Sequence, residues 1–533
     1  MSATWRRSAR TPLFRALQRT LRIAHAADTP GAPPVDELLE LSRRRISRRE
    51  FLKGSLAVAA AAGAASVPGV LLPPVSAAAP PRIVIVGAGI AGLNAAWHLR
   101  KAGYRAAIYE ASPRTGGRMY TQHNVMARGL STEFGGEFID SEHEDMLALV
   151  KEFHLGLIDT DQPSEEDLNV SYFFNNRQIS EREVINAYRP FTRRIAADSE
   201  KVPDEIGFRD HPPDAEALDR MSLSEYIDRI GMTGWLKELM LVAYVTEYGP
   251  NADRQSALNF ITYIGTDLSK GFEIFGESDQ RYKVRGGNQQ VPDALAARLR
   301  DQISVEHALV AVRGRGRGVQ LTFARPGGGP TEVNADFAIL TLPFTILRDV
   351  DVRVEMPPYK TRAIRELGYG TNSKLMLGFA TRLWRQQGYS GEFYGDQWYQ
   401  TGWDNSQLQP GTAGGLTLFL GGTPGVDVGR GPAREQGLRA LPDLELMFPG
   451  ATRQHNGSVA RMMWPTYRWV KASYSAYAPG QWTSIRGAEG LPVGPLYFAG
   501  EHTSLDWQGF MNGGAESGRL AAQALLRRIG VRR

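Results

Sequence analysis

The sequence predicts an α/β protein built from two interleaved domains. One is a Rossmann-type domain that binds a nucleotide, and the other combines a mixed sheet with a helical subdomain. Three observations support this prediction: a glycine-rich turn between a short apolar strand and a helix, helix-period apolar positions over 183–267, and later strand patterns such as those over 374–379 and 415–420. The 533 residues, 42% of them apolar, suffice for two or three domains with substantial cores.

The first strand, over residues 82–86, is a continuous apolar run rich in β-branched side chains, which is typical of a strand buried on both faces. Gly87, Gly89 and Gly92 follow with G-x-G-x-x-G spacing, and a helical pattern continues over 93–101. The first glycine permits a tight turn, the second lets backbone approach a pyrophosphate, and the third lets the helix pack close to the strand. Free N–H groups at the start of the helix would then face the phosphates.

A second strand over residues 106–109 completes a βαβ unit and is followed by Glu110. This acid is placed to accept hydrogen bonds from ribose hydroxyls. Because both strands, the helix and the acid are in register, the unit predicts a dinucleotide site rather than an ordinary glycine turn. FAD and NAD share this fingerprint, so the unit alone does not choose between them.

Residues 111–118 distinguish the two cofactors. Gly116 and Gly117 stand between Arg114 and Arg118, an arrangement that would bring backbone and guanidinium groups to one diphosphate. The segment resembles the R-x-G-G-R motif of the flavin amine oxidase family, which includes monoamine oxidases, polyamine oxidases and L-amino-acid oxidases. The resemblance implies FAD as the cofactor, in a nucleotide domain of the glutathione-reductase-like kind.

Other segments resemble landmarks of the same family, in the same order along the chain. Residues 133–138 resemble the glycine pair that runs along the flavin ring. Residues 284–288, followed by a helix predicted over 291–299, resemble the return to the cofactor domain. The strand predicted over 305–310 would then meet the adenine at Leu309.

The C-terminal segment carries the most specific part of the resemblance. A strand over 496–500 ends in Glu501, which by resemblance binds the ribityl chain. A helix then begins within residues 507–515 and runs to about Leu526. By resemblance, the Met511 backbone N–H would lie near the pyrimidine end of the flavin. Such a helix N-terminus stabilises negative charge that develops on a reduced flavin.

These landmarks predict the domain organisation and a set of cofactor-binding residues. The predicted division is a leader over 1–80, a FAD-binding domain over 81–150, 284–345 and 490–533, and a substrate domain over 151–283, largely helical, and 346–489. The predicted cofactor-binding residues are Gly87, Gly89, Ile90, Ala91, Gly92, Glu110, Ala111, Arg114, Gly116, Gly117, Arg118, Gly135, Gly136, Glu137, Phe138, Leu309, Gly500, Glu501, Gly509, Phe510 and Met511.

The resemblance also implies the catalytic residues. Lys374 matches the family lysine that reaches flavin N5 through a water and assists electron transfer to oxygen. Tyr474 and Phe510 match two rings that stand against the flavin and guide a neutral amine, although the family usually has Tyr or Trp at the second position. Trp507, in the same block, is the fourth candidate. Ser473 occupies a position where some relatives attach flavin through cysteine, so non-covalent FAD is expected.

The substrate is less well defined by the sequence. L-Amino-acid oxidases hold the substrate carboxylate with an arginine shortly after the glycine pair, where this chain has Glu137. A carboxylate there favours an amine or a basic amino compound, whose distal cation could meet it. Glu137 is equally compatible with a structural pairing to Arg118. Arg281, Arg285 or Arg461 could supply a guanidinium from another segment, which keeps L-amino acids as the second choice.

The predicted activity is FAD-dependent oxidation of the C–N bond of a primary amine, polyamine or basic amino compound. The product is an imine, hydrolysed to aldehyde and ammonia, while O₂ is reduced to H₂O₂. The first alternative is an L-amino-acid oxidase that gives a 2-oxo acid. More distant alternatives are a desaturase of the phytoene or protoporphyrinogen type and a flavin-binding protein without turnover.

The net charge of +5 belongs to the leader, because residues 1–80 carry 12 basic and 5 acidic residues and the remainder has a net charge of −2. Nucleic acid is therefore not an expected partner. Arg48 and Arg49, followed by Phe-Leu-Lys after one residue and by a weakly apolar run, resemble a bacterial twin-arginine export signal. This route carries folded proteins, so the expected partner is the twin-arginine translocase and the expected location is periplasmic or extracellular.

Composition adds three further expectations. The chain has no cysteine, and its nine histidines show no close-spaced ligand pair, so no metal site is predicted. Prolines and glycines interrupt the apolar run of the leader, and no later apolar stretch is long enough to span a membrane. The sequence leaves the oligomeric state open, a homodimer included.

Overall fold

The computed structural model describes residues 80–203, 205–262 and 279–531. The predicted leader and its twin-arginine signal lie outside the described residues, apart from Pro80. The strands are β1 (Ile83–Val86), β2 (Ala106–Tyr109), β3 (Thr121–His123), β4 (Ser131–Glu133), β5 (Leu157–Asp159), β6 (Asn169–Phe174), β7 (Arg177–Ile179), β8 (Tyr282–Val284), β9 (Ile303–Ser304), β10 (Ala308–Arg315), β11 (Gly318–Ala324), β12 (Thr331–Ala335), β13 (Phe337–Leu340), β14 (Asp351–Arg353), β15 (Ser373–Phe379), β16 (Tyr389–Gly395), β17 (Thr401–Asp404), β18 (Gly414–Leu420), β19 (His455–Met463) and β20 (Leu496–Phe498).

The α-helices connect these strands and cover the sheets. They are α1 (Ile90–Lys101), α2 (Glu144–Glu152), α3 (Pro163–Glu166), α4 (Glu181–Tyr188), α5 (Thr192–Ser199), α6 (Pro213–Asp219), α7 (Leu223–Arg229), α8 (Gly234–Tyr248), α9 (Leu258–Ile261), α10 (Gln290–Leu299), α11 (Phe344–Leu347), α12 (Pro358–Glu366), α13 (Leu383–Gln386), α14 (Gly422–Asp427), α15 (Ala433–Met447), α16 (Ala451–Gln454), α17 (Gln481–Ser484) and α18 (Met511–Arg528). None of the helices in the described ranges is long and apolar enough to cross a membrane.

A five-stranded parallel sheet forms the centre of the first domain, in the order β20-β13-β1-β2-β9. All four residues of β1 are buried, as expected of a strand covered on both faces. Its strands come from the start, the middle and the end of the chain, so the nucleotide domain is assembled from distant segments. The predicted α/β class and the Rossmann-type arrangement are confirmed.

Helices α1 and α18 pack against each other on one face of this sheet. The side chain of Asn94 donates to the carbonyl of Ala515, with an N···O distance of 2.7 Å. A Cβ atom added at Gly518 would lie 2.2 Å from the Ala91 carbonyl oxygen, so only glycine permits this approach. The first and last helices of the domain are therefore joined along one tight contact.

A four-stranded sheet, β12-β11-β10-β14, lies beside the parallel sheet and corrects one prediction. The strand expected over 305–310 begins later, at Ala308 in β10, because residues 305–307 form a bend after β9 in which Glu306 adopts a positive φ of 57°. Leu309 is buried in a cluster with Leu321 and Phe323. Backbone N–H groups of Glu306 and His307 instead tie this bend to the carbonyls of Ser112 and Glu110.

The second domain contains a seven-stranded mixed sheet, in the order β19-β15-β18-β17-β16-β6-β7. Every residue of β15 and β18 is buried, so these two strands, second and third in that order, are covered on both faces. Helices α4 to α9 form an apolar cluster around Tyr226, Tyr244 and Phe260, which also includes side chains of β6 and β16. We retain the boundaries given above as a proposed division of the chain.

Candidate active site

One cavity lies between the two domains, at the carboxyl ends of β1 and β2. Residues from all three segments of the nucleotide domain line it, together with residues from β15, β17 and β18 and the loop after β19. The predicted residues that line this cavity are Gly87, Gly89, Ile90, Ala91, Glu110, Ala111, Arg114, Gly116, Gly117, Arg118, Gly135, Gly136, Glu137, Phe138, Lys374, Tyr474, Gly500, Glu501, Gly509, Phe510 and Met511. Gly92, Leu309 and Trp507 are the predicted residues that do not line it.

The glycine turn after β1 is closely packed backbone. Gly87 has a φ of 107°, and the Gly116 N–H donates to the Ala88 carbonyl at 2.9 Å, which joins the two glycine motifs. A Cβ atom at Gly92 would lie 2.0 Å from the Gly87 carbonyl oxygen. Gly92 therefore lets the start of α1 pack against the turn. Gly89 and Gly117 lie next to each other and both line the cavity.

Glu110 holds the turn from the second strand. Its carboxylate accepts hydrogen bonds from the backbone N–H groups of Ala88 at 2.7 Å and Ser112 at 2.8 Å. The side chain is 9% exposed and lines the cavity. A carboxylate that joins both glycine motifs at the cavity wall is suited to a ribose, because each oxygen has a further lone pair.

An ion pair between Arg118 and Glu501 joins the first and last segments of the nucleotide domain. The guanidinium donates to Glu501 at 2.8 Å and to the Ser473 carbonyl at 2.8 Å. Glu501 also accepts hydrogen bonds from the Ser475 hydroxyl and the Gly509 N–H. Burial alone would raise the pKa of Glu501, but the charge of Arg118 holds this pKa below its ordinary value, so the carboxylate is ionised.

The second glycine pair provides a flat wall opposite the start of α18. A Cβ atom at Gly136 would lie 2.6 Å from the Met511 Cγ atom, and one at Gly135 would lie 1.8 Å from the Arg118 carbonyl oxygen. The helix begins at Met511, so its unpaired N–H groups point toward this part of the cavity. Both surfaces line the same side of the cavity, so a planar group that accepts negative charge would lie against them.

Lys374, on β15, is 4% exposed, and its ammonium group reaches the second glycine pair. Its ammonium donates to the carbonyls of Glu133 and Gly135, at 3.0 and 2.9 Å, and to the Glu137 carboxylate at 2.9 Å. An ammonium group has three donors, so the protein already accepts all of them. The water contact implied by the family resemblance therefore requires the lysine to release one of these partners.

Glu137 differs from both roles that the sequence suggested for it. One oxygen accepts from Lys374 and the other from Lys283, each at 2.9 Å, while Arg118 pairs with Glu501 instead. Burial would raise the pKa of Glu137, but the charges of Lys283 and Lys374 hold this pKa below its ordinary value. The carboxylate is thus ionised and doubly paired, which corrects the expectation that it would meet a substrate cation.

Aromatic side chains form the rest of the cavity. Tyr474 and Phe510 line it, and the Tyr474 hydroxyl donates to the Glu247 carbonyl at 2.9 Å, which fixes the ring. Trp507 lies behind Phe510 and packs edge-on against His143, with ring centroids 4.7 Å apart. Trp507 therefore supports the wall rather than contacting the cavity.

The sequence analysis missed several cavity-lining residues. Gln280 is 2% exposed and lines the cavity, and neither its amide nitrogen nor its amide oxygen has a hydrogen-bond partner within the described residues. No local pattern marks this residue, because it precedes β8 in an otherwise polar stretch. The other missed residues include Asn372, Trp403, Phe419, Trp464, Tyr467 and Trp469.

None of the three arginines considered for a substrate carboxylate lines the cavity. Arg281 pairs with Asp159 at 2.7 Å, and Arg461 donates to the Val428 carbonyl at 2.7 Å. Arg285 extends along the surface toward the Leu157 carbonyl. Among the described residues, Arg114 and Arg118 are the arginines at the cavity, and both belong to the R-x-G-G-R motif.

A glycine-rich cradle that leads into a ring-lined chamber is typical of an oxidoreductase that binds a nucleotide cofactor. The profile of a family described as flavin containing amine oxidoreductase matches residues 90–526, and the chain belongs to this family. A twin-arginine translocation signal matches residues 45–65. The protein is thus an exported flavin-containing oxidoreductase, periplasmic or extracellular.

Known relatives cover most of the chain. An L-amino acid dehydrogenase of Synechocystis sp. is 27% identical, over 83% of this chain and 94% of the relative. A flavin-containing amine oxidase of Danio rerio is 24% identical, over 84% of this chain and 86% of the relative. The solved structure of cyclohexylamine oxidase from Brevibacterium oxydans superposes with a TM-score of 0.73 at 22% identity, over 85% of this chain and all of that one. This likeness shows that the two proteins share a fold.

Proposed function

We propose that the protein binds FAD without a covalent bond and oxidises a primary amine whose remaining part is apolar. The observation that carries the proposal is the pairing of every charged side chain at the cavity. The cavity-lining charged residues among those described are Glu110, Arg114, Arg118, Glu137, Lys374 and Glu501, and each has protein partners. Glu110 and Arg114 bond only backbone groups and are assigned to FAD below. With FAD bound, a diamine would find no carboxylate without a partner, and an amino acid would find no guanidinium without one.

The residues fit FAD in a definite order along the cavity. The glycine turns and Arg114 would hold the diphosphate, Glu110 the adenosine ribose, and Glu501 with Arg118 the ribityl chain. Ser473 donates to Asn372 at 2.6 Å, and the chain has no cysteine to form a thioether. When bound, FAD supplies the acceptor for the hydride equivalent that leaves the carbon next to the amine nitrogen.

The protein orients the amine and excludes water. Tyr474 and Phe510 offer two ring surfaces that favour a neutral nitrogen over a hydrated ammonium. The Gln280 amide can donate to or accept from the amine, and such a contact would give its buried polar atoms a partner. The first turn of α18 and the Lys374 ammonium stabilise negative charge that arrives at the ring.

The overall reaction converts the amine, O₂ and water into an aldehyde or a ketone, ammonia and H₂O₂. An imine forms first, and water hydrolyses it after release. Oxidation of an L-amino acid to a 2-oxo acid is the second candidate, and it is favoured by the similarity to the Synechocystis dehydrogenase. That relative's name also makes an acceptor other than O₂ a specific alternative.

A substrate screen tests both the substrate and the acceptor. The mature protein is incubated with apolar monoamines such as cyclohexylamine, with putrescine and longer polyamines, and with all twenty amino acids. Peroxide release and reduction of an artificial dye are measured in parallel. We expect apolar monoamines to exceed diamines and amino acids by at least about tenfold in kcat/KM, since each unpaired buried charge costs more than 1.4 kcal/mol. Preference for an amino acid would reject the first proposal, and dye reduction without peroxide would reject O₂ as the acceptor.

A further inference from the structure

Three charged side chains form a buried row at the edge of the cavity. Lys374 and Lys283 each contact one oxygen of Glu137, at 2.9 Å, and all three residues are buried. Lys374 and Glu137 line the cavity, whereas Lys283 lies behind them on β8. Lys283 also stands 4.6 Å from the ring centroid of Phe138, which lines the cavity next to Glu137.

The row is costly to bury, so its charges require an explanation beyond packing. Moving an ion from water into the interior costs several kcal/mol, and the attraction within an ion pair often only balances this cost. A lysine and a glutamate alone would be neutral as a pair. The second lysine leaves the row with a net charge of +1 beside the glycine pair. Burial raises the pKa of the neighbouring Glu133 carboxyl to about 7, so below that pH this group adds no charge to the row.

We propose that Lys283 is a positioning residue that acts through Glu137 to set the positive charge beside the flavin ring. Glu137 holds the ammonium of Lys374 on the carbonyls of Glu133 and Gly135, and in doing so it neutralises one positive charge. Lys283 restores that charge from outside the cavity. The inference rests on the proposed position of the flavin ring against the glycine pair and the start of α18.

The test measures the two-electron reduction potential of the bound flavin, by equilibration with reference dyes in the absence of any amine. Lys283→Met should lower the equilibrium constant for reduction about tenfold, which corresponds to about 30 mV for a two-electron couple. The sign follows from Coulomb's law, since removing a nearby positive charge disfavours the addition of electrons. Lys283→Gln removes the same charge with a polar side chain and is the second variant if methionine prevents folding.

The double variant Glu137→Gln with Lys283→Met separates charge from structure. It leaves Lys374 as the only charge of the row, so the net charge returns to +1 and the potential should return to within about twofold of the original equilibrium constant. Lys283→Arg should also keep the original potential. Lys151→Met, at an exposed position on α2, is the control and should change nothing.

Two outcomes would overturn the inference. One is an unchanged potential in the Lys283→Met or Lys283→Gln protein. The other is a lowered potential that the double variant does not restore, because damage to the fold would be additive rather than compensated. The measurement needs no substrate, so a failure to oxidise amines would count against the proposed function alone.

Discussion

Replacing Glu110 by alanine tests the assignment of the cofactor cradle most directly. The carboxylate accepts hydrogen bonds from two buried N–H groups, Ala88 in the first glycine turn and Ser112 before the second. In the Glu110→Ala protein both donors lose their acceptor. The perturbation therefore acts on both glycine motifs at once and leaves the rest of the cavity wall intact.

The expected magnitude follows from these contacts. Each buried donor left without a partner costs about 1–3 kcal/mol, so the free energy of unfolding of the cofactor-free protein should fall by about 2–6 kcal/mol. A lost hydrogen bond to ribose from a charged group is worth about 1.5–3 kcal/mol, which is a further tenfold to hundredfold in the Kd for FAD. The two effects are separable because one is measured without the cofactor.

Urea unfolding of the cofactor-free protein gives the first value, and titration with FAD followed by absorbance gives the second. Glu355→Ala is the matched control, since Glu355 is exposed in the loop before α12. If the variant unfolds at a lower urea concentration but binds FAD with the original Kd, Glu110 is structural and the ribose assignment is wrong. Unchanged stability would contradict the hydrogen bonds themselves.

Three other predictions concern reoxidation of the flavin by oxygen, stability at acidic pH, and export. Lys374→Met should slow reoxidation of the reduced flavin by at least on the order of tenfold in stopped-flow traces, because a positive charge at the site is lost; unchanged traces would remove the lysine from this step. Burial lowers the pKa of His143 to about 3. As the pH falls below 6.5, this imidazole therefore becomes protonated in the unfolded chain while it stays neutral in the folded protein. Stability should therefore be lost between pH 6.5 and 3, by about 3 kcal/mol at pH 4, and urea unfolding of His143→Gln should show a smaller loss. Arg48→Lys with Arg49→Lys should retain the protein in the cytoplasm, and its appearance in the periplasmic fraction would refute the signal.

Local patterns predict the elements that hold the cofactor. The strand at 82–86 and the helix after it are encoded by a run of β-branched residues and a glycine spacing, and β1 and α1 lie where these patterns place them. The helix expected near the C-terminus is α18. Such features depend on neighbouring residues, so they can be inferred without knowledge of distant contacts.

The partners of charged side chains could not be inferred in the same way. Glu137 pairs with residues that are 146 and 237 positions away, and no periodicity connects such positions. Gln280 illustrates the same limit, since a single polar residue before a strand has many ordinary explanations. The strand predicted over 305–310 begins at Ala308 instead, because tertiary contacts impose a positive φ on Glu306.

The order in which the chain is synthesised has a consequence for its export. Glu501 and Met511 leave the ribosome long after Gly87 and Arg118, yet all four residues line the same cavity. A nascent chain can therefore display its signal long before it can retain a cofactor. Translocation that accepts only finished cargo would consequently act as a checkpoint, and truncated chains would stay on the inner side of the membrane.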